Sequence, residues 1–295
     1  MNDIERYVIE EFVEEYRLGQ YGHDELRRRL VNCGADLSIL DGLPVVAGRA
    51  RPAMFAGADN PWQDGGQEVE GQMTTYKSGS DTLEAYMAWP KAQGPKPGIV
   101  VCHENRGLVE YVKDVAMGLA SHGYAAIAPD LLTREGPTHK FADPGADVPP
   151  LLTKIPPERH VGDLKAALDH LIGWNMGPIG AIGFCFGGGQ TWRLVTKEPR
   201  LAAAVPFYGP NPPLEDVANI TAPVLAIYGG LDERINAGIE AITAAMKQHN
   251  KTFEHTIYPD SQHAFHNHTN ADRYNAATAK QAWAQALAWF KRYLG

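Results

Sequence analysis

The chain has few cysteines and no long apolar run. Its 295 residues contain three cysteines, Cys33, Cys102 and Cys185, and this odd number at wide spacings argues against a disulfide framework. No CxxC pair or Cys/His cluster indicates a structural zinc site. No uninterrupted stretch of about 18 apolar residues predicts a transmembrane helix. Because free thiols persist in a reducing compartment, we predict a cytoplasmic protein.

Positive charge is also scarce. Lys and Arg number 27 against 35 Asp and Glu, for a net charge of −8, which argues against a nucleic-acid or acidic-membrane partner. The sequence contains no G-x-x-x-x-G-K-[ST] motif and no H-E-x-x-H motif, so it predicts neither a phosphate-binding loop nor that type of zinc site. We expect no cofactor and no metal. Hydrophobic residues make up 44% of the chain, which is enough for a sizeable globular core.

The first 66 residues have a pattern of their own. Apolar side chains recur at helical spacing from Ile4 to Tyr16, and the acidic side chains, Glu11 and Glu15 among them, are predicted to lie on the opposite face. A second short helix is predicted over 25–31, and 44–72 reads as an extended connector. We expect residues 1–66 to form a helical arm and connector that either roofs the main domain or builds a homodimer.

An arginine run in this segment resembles an export signal. Arg27–Arg29 is similar to the start of a twin-arginine leader. Asp36 and Asp41 interrupt the apolar stretch that such a leader requires. The run therefore does not change the predicted location.

From residue 67 onward, strands alternate with helices. Short all-apolar runs are typical of strands that are buried on both faces. The predicted strands are 73–77, 83–89, 99–102, 124–128, 179–182, 202–206, 224–228 and 252–258, and the predicted helices are 109–121, 157–172, 187–196, 235–249 and 271–293, with 133–156 as a loop. The alternation predicts one α/β domain over 67–295, with chemistry at the carboxyl ends of the strands.

A glycine-rich turn follows the predicted strand 179–182. Gly183-Phe184-Cys185-Phe186-Gly187 is a G-x-C-x-G sequence, the nucleophile-elbow pattern with Cys in place of Ser. The elbow is strained, so the positions two residues from the cysteine need to lack side chains. The following helix N-terminus favours a Cys185 thiolate, and the backbone N–H of Phe186 becomes an oxyanion donor. The alternative is a glycine-rich turn with a buried, inert thiol.

A nucleophile needs a base and an acid that orients the base. In folds with this elbow, the acid follows the nucleophile in the sequence and the histidine follows the acid. Asp232 comes shortly after the predicted strand 224–228, and His263 comes shortly after the strand 252–258. Both loops lie at the same sheet edge as Cys185. The competing candidates are Glu233 and Asp260 for the acid and His266 and His268 for the base.

These segments resemble the dienelactone hydrolase family over about residues 70–295. The segments that carry the resemblance are the cysteine elbow, His103-Glu104-Asn105-Arg106-Gly107, Ala128-Pro129-Asp130-Leu131-Leu132, Asp232 and His263-Ala264-Phe265. The resemblance implies the α/β-hydrolase fold, with a mostly parallel central sheet and helices on both faces. It also implies a triad of Cys185, Asp232 and His263.

The same resemblance implies further roles around the nucleophile. Glu104 matches a family glutamate that binds the resting thiol and releases a thiolate when substrate arrives. The backbone amide of Asn105 matches the second oxyanion donor. Dienelactone hydrolase grips its substrate carboxylate with two arginines, and Arg134 matches the first of them. Asn267 stands at the position of the second, and it cannot supply a guanidinium fork.

The substrate is therefore left open between a carboxylate-bearing compound and a neutral ester, lactone or thioester. His266, next to Asn267, could replace part of the missing positive charge, and Tyr208 is a candidate pocket wall or an ordinary packing residue. We predict a thiol hydrolase that cleaves a small ester or lactone through an acyl-thioester. The alternatives are another enzyme of this fold, such as a peptidase or thioesterase, or a non-catalytic binding protein.

Overall fold

Eight strands form one sheet in the computed structural model, which describes residues 1–46, 48 and 60–295. The strands are β1 (Val69–Ser78), β2 (Asp81–Pro90), β3 (Gly98–Cys102), β4 (Ala125–Pro129), β5 (Ile179–Phe184), β6 (Leu201–Phe207), β7 (Val224–Gly229) and β8 (Phe253–Tyr258). Their order is β1-β2-β4-β3-β5-β6-β7-β8. The pairs β1–β2 and β2–β4 are antiparallel, and the other neighbouring pairs are parallel.

Helices cover both faces of this sheet. Those of the described residues are α1 (Asp3–Arg17), α2 (His23–Asn32), α3 (Glu110–Ser121), α4 (Pro144–Leu152), α5 (Pro157–Gly173), α6 (Phe186–Lys197), α7 (Glu233–Asn236), α8 (Ile239–Gln248) and α9 (Ala276–Leu294). Strands β3, β4, β5 and β7 are buried along their whole length, because helices shield both of their faces. The α/β-hydrolase fold that the resemblance implies is confirmed.

Helix α1 departs from its predicted orientation. Asn2 and Glu5 form a capping box at its start, which satisfies the first backbone N–H groups. The prediction that Glu11 and Glu15 lie on the face opposite the apolar side chains is wrong, because both are buried, together with Ile4. Glu11 lies seven residues after Ile4, almost two full turns, so helical geometry puts both on one face. Both carboxylates form ion pairs with buried or half-buried arginines there.

The predicted loop 133–156 contains a helix, α4, that its prolines concealed. Proline lacks a backbone N–H, so Pro149 cannot donate to the carbonyl of Gly145 four residues earlier. The Arg29 guanidinium donates to that carbonyl instead, at 3.0 Å. Pro144 fits the first turn of the helix, where no N–H is needed.

Other element boundaries shift slightly. The helix predicted over 235–249 is divided at Gly238 into α7 and α8, and the last helix starts at Ala276, where the Asn275 side chain accepts from the Thr278 amide. Much of the predicted connector, 47 and 49–59, lies outside the described residues.

None of the described helices combines the length and the apolar character needed to cross a membrane. The thiols of Cys33 and Cys102 stay protonated, because burial raises the pKa of Cys33 to about 11 and that of Cys102 to about 12.

Candidate active site

Cys185 lies on a sharp turn between β5 and α6. Its backbone has φ +59°, a conformation that L-residues rarely adopt. A side chain on Gly183 would collide with the carbonyl oxygen of Gly187, and a side chain on Gly187 would collide with that of Cys102. The two glycines are therefore required sterically, as the elbow pattern predicts.

His263 and Asp232 meet beside this turn. The His263 Nδ1 lies 2.5 Å from Asp232 Oδ2, and the other carboxylate oxygen accepts from the Ile235 amide at 3.2 Å. Both side chains are buried. The hydrogen bond to Asp232 fixes the imidazole so that Nε2 faces the elbow. The three residues that the sequence selects by their order thus lie at one end of the sheet.

Two side chains of α1 also enter this site. The Tyr7 hydroxyl oxygen lies 2.9 Å from Cys185 Sγ and 3.3 Å from His263 Nε2. The Glu11 Oε2 lies 3.5 Å from the same His263 nitrogen. Burial, together with the nearby Cys185 and Glu11, raises the pKa of Tyr7 well above its usual value, so the hydroxyl keeps its proton. The N-terminal helix therefore roofs the elbow within a single chain.

Arginines surround Glu11. The carboxylate receives Arg234 at 2.5 Å and Arg273 at 3.1 Å. Burial opposes its charge, but His263 and the arginines outweigh it and lower the pKa of Glu11 to about 2. Although Glu11, Cys185 and His263 place potential ligand atoms within 4.8 Å of one another, this positive surrounding disfavours a metal cation.

The charge on His263 follows from its two carboxylate neighbours. Burial lowers the pKa of a histidine, but Glu11 and Asp232 outweigh burial and raise the pKa of His263 well above its usual value. The imidazole is protonated at neutral pH in this arrangement.

Glu104 and Asn267 pair with each other. The Asn267 amide donates to Glu104 Oε2 at 2.6 Å, and burial raises the pKa of Glu104. Within the described part of the chain, no hydrogen bond joins Glu104 to Cys185, and Glu104 Oε1 has no partner. The Asn267 side chain therefore serves Glu104 in this structure, and its predicted role in substrate binding stays a prediction.

Two backbone amides near the elbow are unused. Among the described residues, no acceptor takes a hydrogen bond from the amide of Asn105 or of Phe186. Phe186 opens α6, where the first N–H groups have no partner within the helix. These amides are the predicted oxyanion donors, Phe186 from the elbow pattern and Asn105 from the family resemblance.

Arg134 lies in a separate ion-pair cluster. Its guanidinium donates to both carboxylate oxygens of Asp163, at 2.6 and 3.0 Å, and to Asp81 at 2.5 Å. No contact among the described residues joins it to Cys185 or His263. Its predicted role in binding a substrate stays a prediction.

His266 and Tyr208 lie in the aromatic wall behind the site. His266 stacks on Trp62 with ring centroids 3.8 Å apart, and its Nδ1 lies 2.8 Å from the Tyr111 hydroxyl. Burial, together with His268, lowers the pKa of His266 well below its usual value, so His266 is neutral at neutral pH. The Tyr208 ring centroid lies 5.0 Å from that of His263, so this side chain packs directly against the imidazole.

Sequence reasoning missed Tyr7, Glu11, Arg234 and Arg273. A signal for Tyr7 and Glu11 was present, because both fall on the helical repeat of Ile4 and have polar side chains on an otherwise apolar face. A buried polar pair on a helix indicates partners elsewhere in the fold. Nothing local to Arg234 or Arg273 identifies them as those partners.

Comparisons with known proteins give a consistent result. The family model described as the dienelactone hydrolase family matches residues 83–294. A protein from Escherichia coli O157:H7 named "Putative carboxymethylenebutenolidase" is 37% identical over 243 residues, which cover 75% of this chain and 87% of that protein. A Bradyrhizobium protein named "Probable 2-oxo-3-(5-oxofuran-2-ylidene)propanoate lactonase" is 31% identical over 226 residues, 71% of this chain and 89% of that one.

A solved structure agrees with these sequence matches. The crystal structure described as "Putative Dienelactone Hydrolase" from Klebsiella pneumoniae superposes with a TM-score of 0.68 at 33% identity. The superposition covers 77% of this chain and 100% of that one. The family match begins at residue 83, so it does not include α1.

Proposed function

The chain belongs to the dienelactone hydrolase family and is an ester or lactone hydrolase, and we propose that it works through Cys185, His263 and Asp232 by way of an acyl-thioester. The observation that carries this proposal is the position of Cys185 on the strained elbow, next to a histidine that is bound to Asp232. The Tyr7 hydroxyl lies between the Cys185 sulfur and His263 Nε2 and is within hydrogen-bonding distance of both. A nucleophile, a base and an orienting acid in this relation form the working unit of covalent acyl transfer.

The first half of the reaction forms the thioester. The Cys185 thiolate attacks the carbonyl carbon, and the amides of Phe186 and Asn105 donate to the oxyanion that develops. When the intermediate collapses, the C–O bond to the alcohol breaks and the His263 imidazolium gives its proton to the leaving oxygen. With a lactone, the freed hydroxyl stays attached to the acyl group.

The second half releases the acid. His263, now neutral, takes a proton from water as the water oxygen attacks the thioester carbon. The C–S bond breaks, the thiolate returns, and His263 is again protonated. Asp232 holds the imidazole in position and stabilises its charge during both halves.

Removal of the sulfur tests this mechanism. We expect Cys185→Ala to abolish hydrolysis of a carboxylate-bearing lactone, a neutral lactone and aryl esters, with an unchanged circular dichroism spectrum. Cys33→Ala, which alters a half-buried thiol far along the chain, is the matched control and should keep full activity. Mass spectrometry of the acid-quenched wild type should detect the acyl adduct on Cys185. Parent-level turnover by Cys185→Ala would refute the proposal.

A further inference from the structure

Among the described residues, both reacting groups are shielded from solvent while α1 is in place. Cys185 is 2% exposed and His263 is fully buried. A substrate carbonyl has to come within about 3–3.5 Å of the attacking sulfur in a reactive pose. The Tyr7 hydroxyl lies 2.9 Å from that sulfur and 3.3 Å from the base, so it holds the space that the carbonyl needs.

A carboxylate on α1 fills the neighbouring space. Glu11 lies one turn after Tyr7. Its carboxylate oxygens accept from Arg234 and Arg273, and its Oε2 lies 3.5 Å from His263 Nε2. The Arg234 guanidinium also lies 4.6 Å from the centre of the Tyr7 ring. The helix thus presents a hydroxyl and a carboxylate to the nucleophile, the base and two arginines.

Helix α1 meets the main domain with charged side chains as well as buried apolar ones such as Val8 and Phe12, which distinguishes it from an all-apolar core helix. Ion pairs join it to the main domain from Glu14 to Arg234, from Glu15 to Arg106 and from Asp3 to Arg193. Buried charge pairs add little net stability, because both partners lose their hydration when they meet. Water can solvate these groups again when they separate, so leaving the site costs α1 less than it would cost an all-apolar helix.

A cavity lies beside the Tyr7 ring. It has a volume of about 230 Å³, and its lining includes Tyr7, Phe186, Gln190, Pro210 and Arg234. The cavity thus borders both the side chain that blocks the sulfur and the residue whose amide we assign to the oxyanion.

We propose that α1 is a displaceable occupant of the active site, in which Tyr7 and Glu11 hold the substrate's place and have to leave before a substrate carbonyl reaches Cys185. The proposal rests on the proposed function, since it takes Cys185 as the nucleophile. It assigns α1 to the control of access and gives Tyr7 and Glu11 no part in the bond-making steps.

Alkylation of Cys185 in the wild-type chain tests the displacement without any need for turnover. A carbamidomethyl group from iodoacetamide adds its bulk on the sulfur, where the Tyr7 hydroxyl now lies. We expect hydrogen–deuterium exchange in the peptide covering 3–17 to rise at least tenfold after stoichiometric modification of Cys185, while exchange in α9 stays the same. Cys185→Ala treated with iodoacetamide is the control for modification elsewhere. An unchanged exchange rate in α1 on the fully modified protein would overturn the proposal.

Unseating α1 by mutation tests the converse. Val8 is fully buried on α1, so Val8→Asp should loosen the helix and speed the alkylation of Cys185 at least tenfold. Val31→Asp, the same change at an exposed site on α2, is the matched control and should leave the rate unchanged. If α1 exchanges faster in Val8→Asp but Cys185 alkylates at the wild-type rate, α1 does not block the site. Because neither experiment measures hydrolysis, a failure here is distinct from a failure of the Cys185→Ala test.

Discussion

The Tyr7 hydroxyl and the Cys185 sulfur lie 2.9 Å apart, although 178 positions separate them in the sequence. One belongs to a helix outside the residues that match the family model, and the other is the candidate nucleophile of the matched domain. The contact therefore joins the domain that matches the family model to an N-terminal helix that lies outside the match.

The charge of Asp232 should matter more than its shape. Asp232→Asn keeps a side chain of the same size but loses the carboxylate that stabilises the His263 imidazolium, so kcat should fall roughly 10³–10⁴-fold. Initial rates on an aryl ester measure the effect. Asp260→Asn, an exposed rival in the same loop as His263, should stay within twofold of the wild type. The reverse ranking would give the orienting role to Asp260.

Glu11 should set the protonation of His263. Its negative charge favours the imidazolium, so Glu11→Gln should lower the pKa of His263, and the histidine should lose its proton at a lower pH than in the wild type. Nuclear magnetic resonance titration of labelled histidine measures the shift, with His263→Gln to assign the signal. Glu10→Gln removes an exposed charge one residue away and should leave the titration unmoved. If the two variants titrate alike, Glu11 does not control His263.

The elbow glycine should not tolerate even a methyl group. Gly183→Ala puts a Cβ against the carbonyl oxygen of Gly187, where the backbone cannot move aside. We therefore expect either a loss of soluble protein or a decrease of at least about 3 kcal/mol in the free energy of unfolding, at the upper end of the usual cost of overpacking a core. Gly162→Ala adds the same methyl in α5, where no atom lies within 4 Å. That change should stabilise the protein by about 0.5–1 kcal/mol, because alanine favours a helix over glycine. Urea unfolding compares them, and equal stabilities would contradict the steric account.

Arg134 should contribute to stability before it contributes to binding. Arg134→Gln leaves the buried Asp163 carboxylate without its fork, so the free energy of unfolding should drop by roughly 2–3 kcal/mol, less than for a fully buried pair. Arg292→Gln breaks an exposed pair with Glu254 and should cost under about 0.5 kcal/mol.

The same variant also tests the substrate role that the resemblance implies for Arg134. The ratio of KM values for a carboxylate-bearing lactone and a neutral lactone should be measured on Arg134→Gln and the wild type. A rise in KM for the carboxylate-bearing lactone alone would support a recognition role. An equal ratio in the two proteins would leave Arg134 with its structural role only.

What the sequence predicts depends on how local its signal is. Short apolar runs predict the strands from β3 to β7, and two glycines that are required sterically predict the elbow. These predictions are confirmed. Asp232 and His263 follow from one further rule, that loops after parallel strands meet at one edge. Helix α4 was missed because its prolines argue against a helix. The Arg29 side chain, more than a hundred residues earlier in the sequence, donates to the Gly145 carbonyl that a proline leaves without a donor.

The environment of the site could not be read in the same way. Glu11 has the charge of a surface residue, and its burial is made tolerable by Arg234, Arg273 and His263. Asn267 reads as a missing arginine, whereas in the fold it donates to Glu104. In both cases, the meaning of the residue depends on partners that packing brings together and that no pattern of spacing contains.

The position of α1 makes the protein a competitor of its own substrate. Because helix and site belong to one polypeptide, the competitor acts at a fixed local concentration, on the order of millimolar for a tethered ligand, and dilution of the protein does not weaken it. An incoming ester binds only the fraction of molecules whose site is vacant, so its apparent dissociation constant equals the intrinsic one divided by that fraction. If about 1% of molecules were vacant, the apparent affinity would be about a hundredfold weaker than the pocket allows. Substrates that bind the vacated arginines and elbow tightly would overcome this threshold, and weakly bound esters would be hydrolysed slowly for lack of access, even with a fully competent nucleophile.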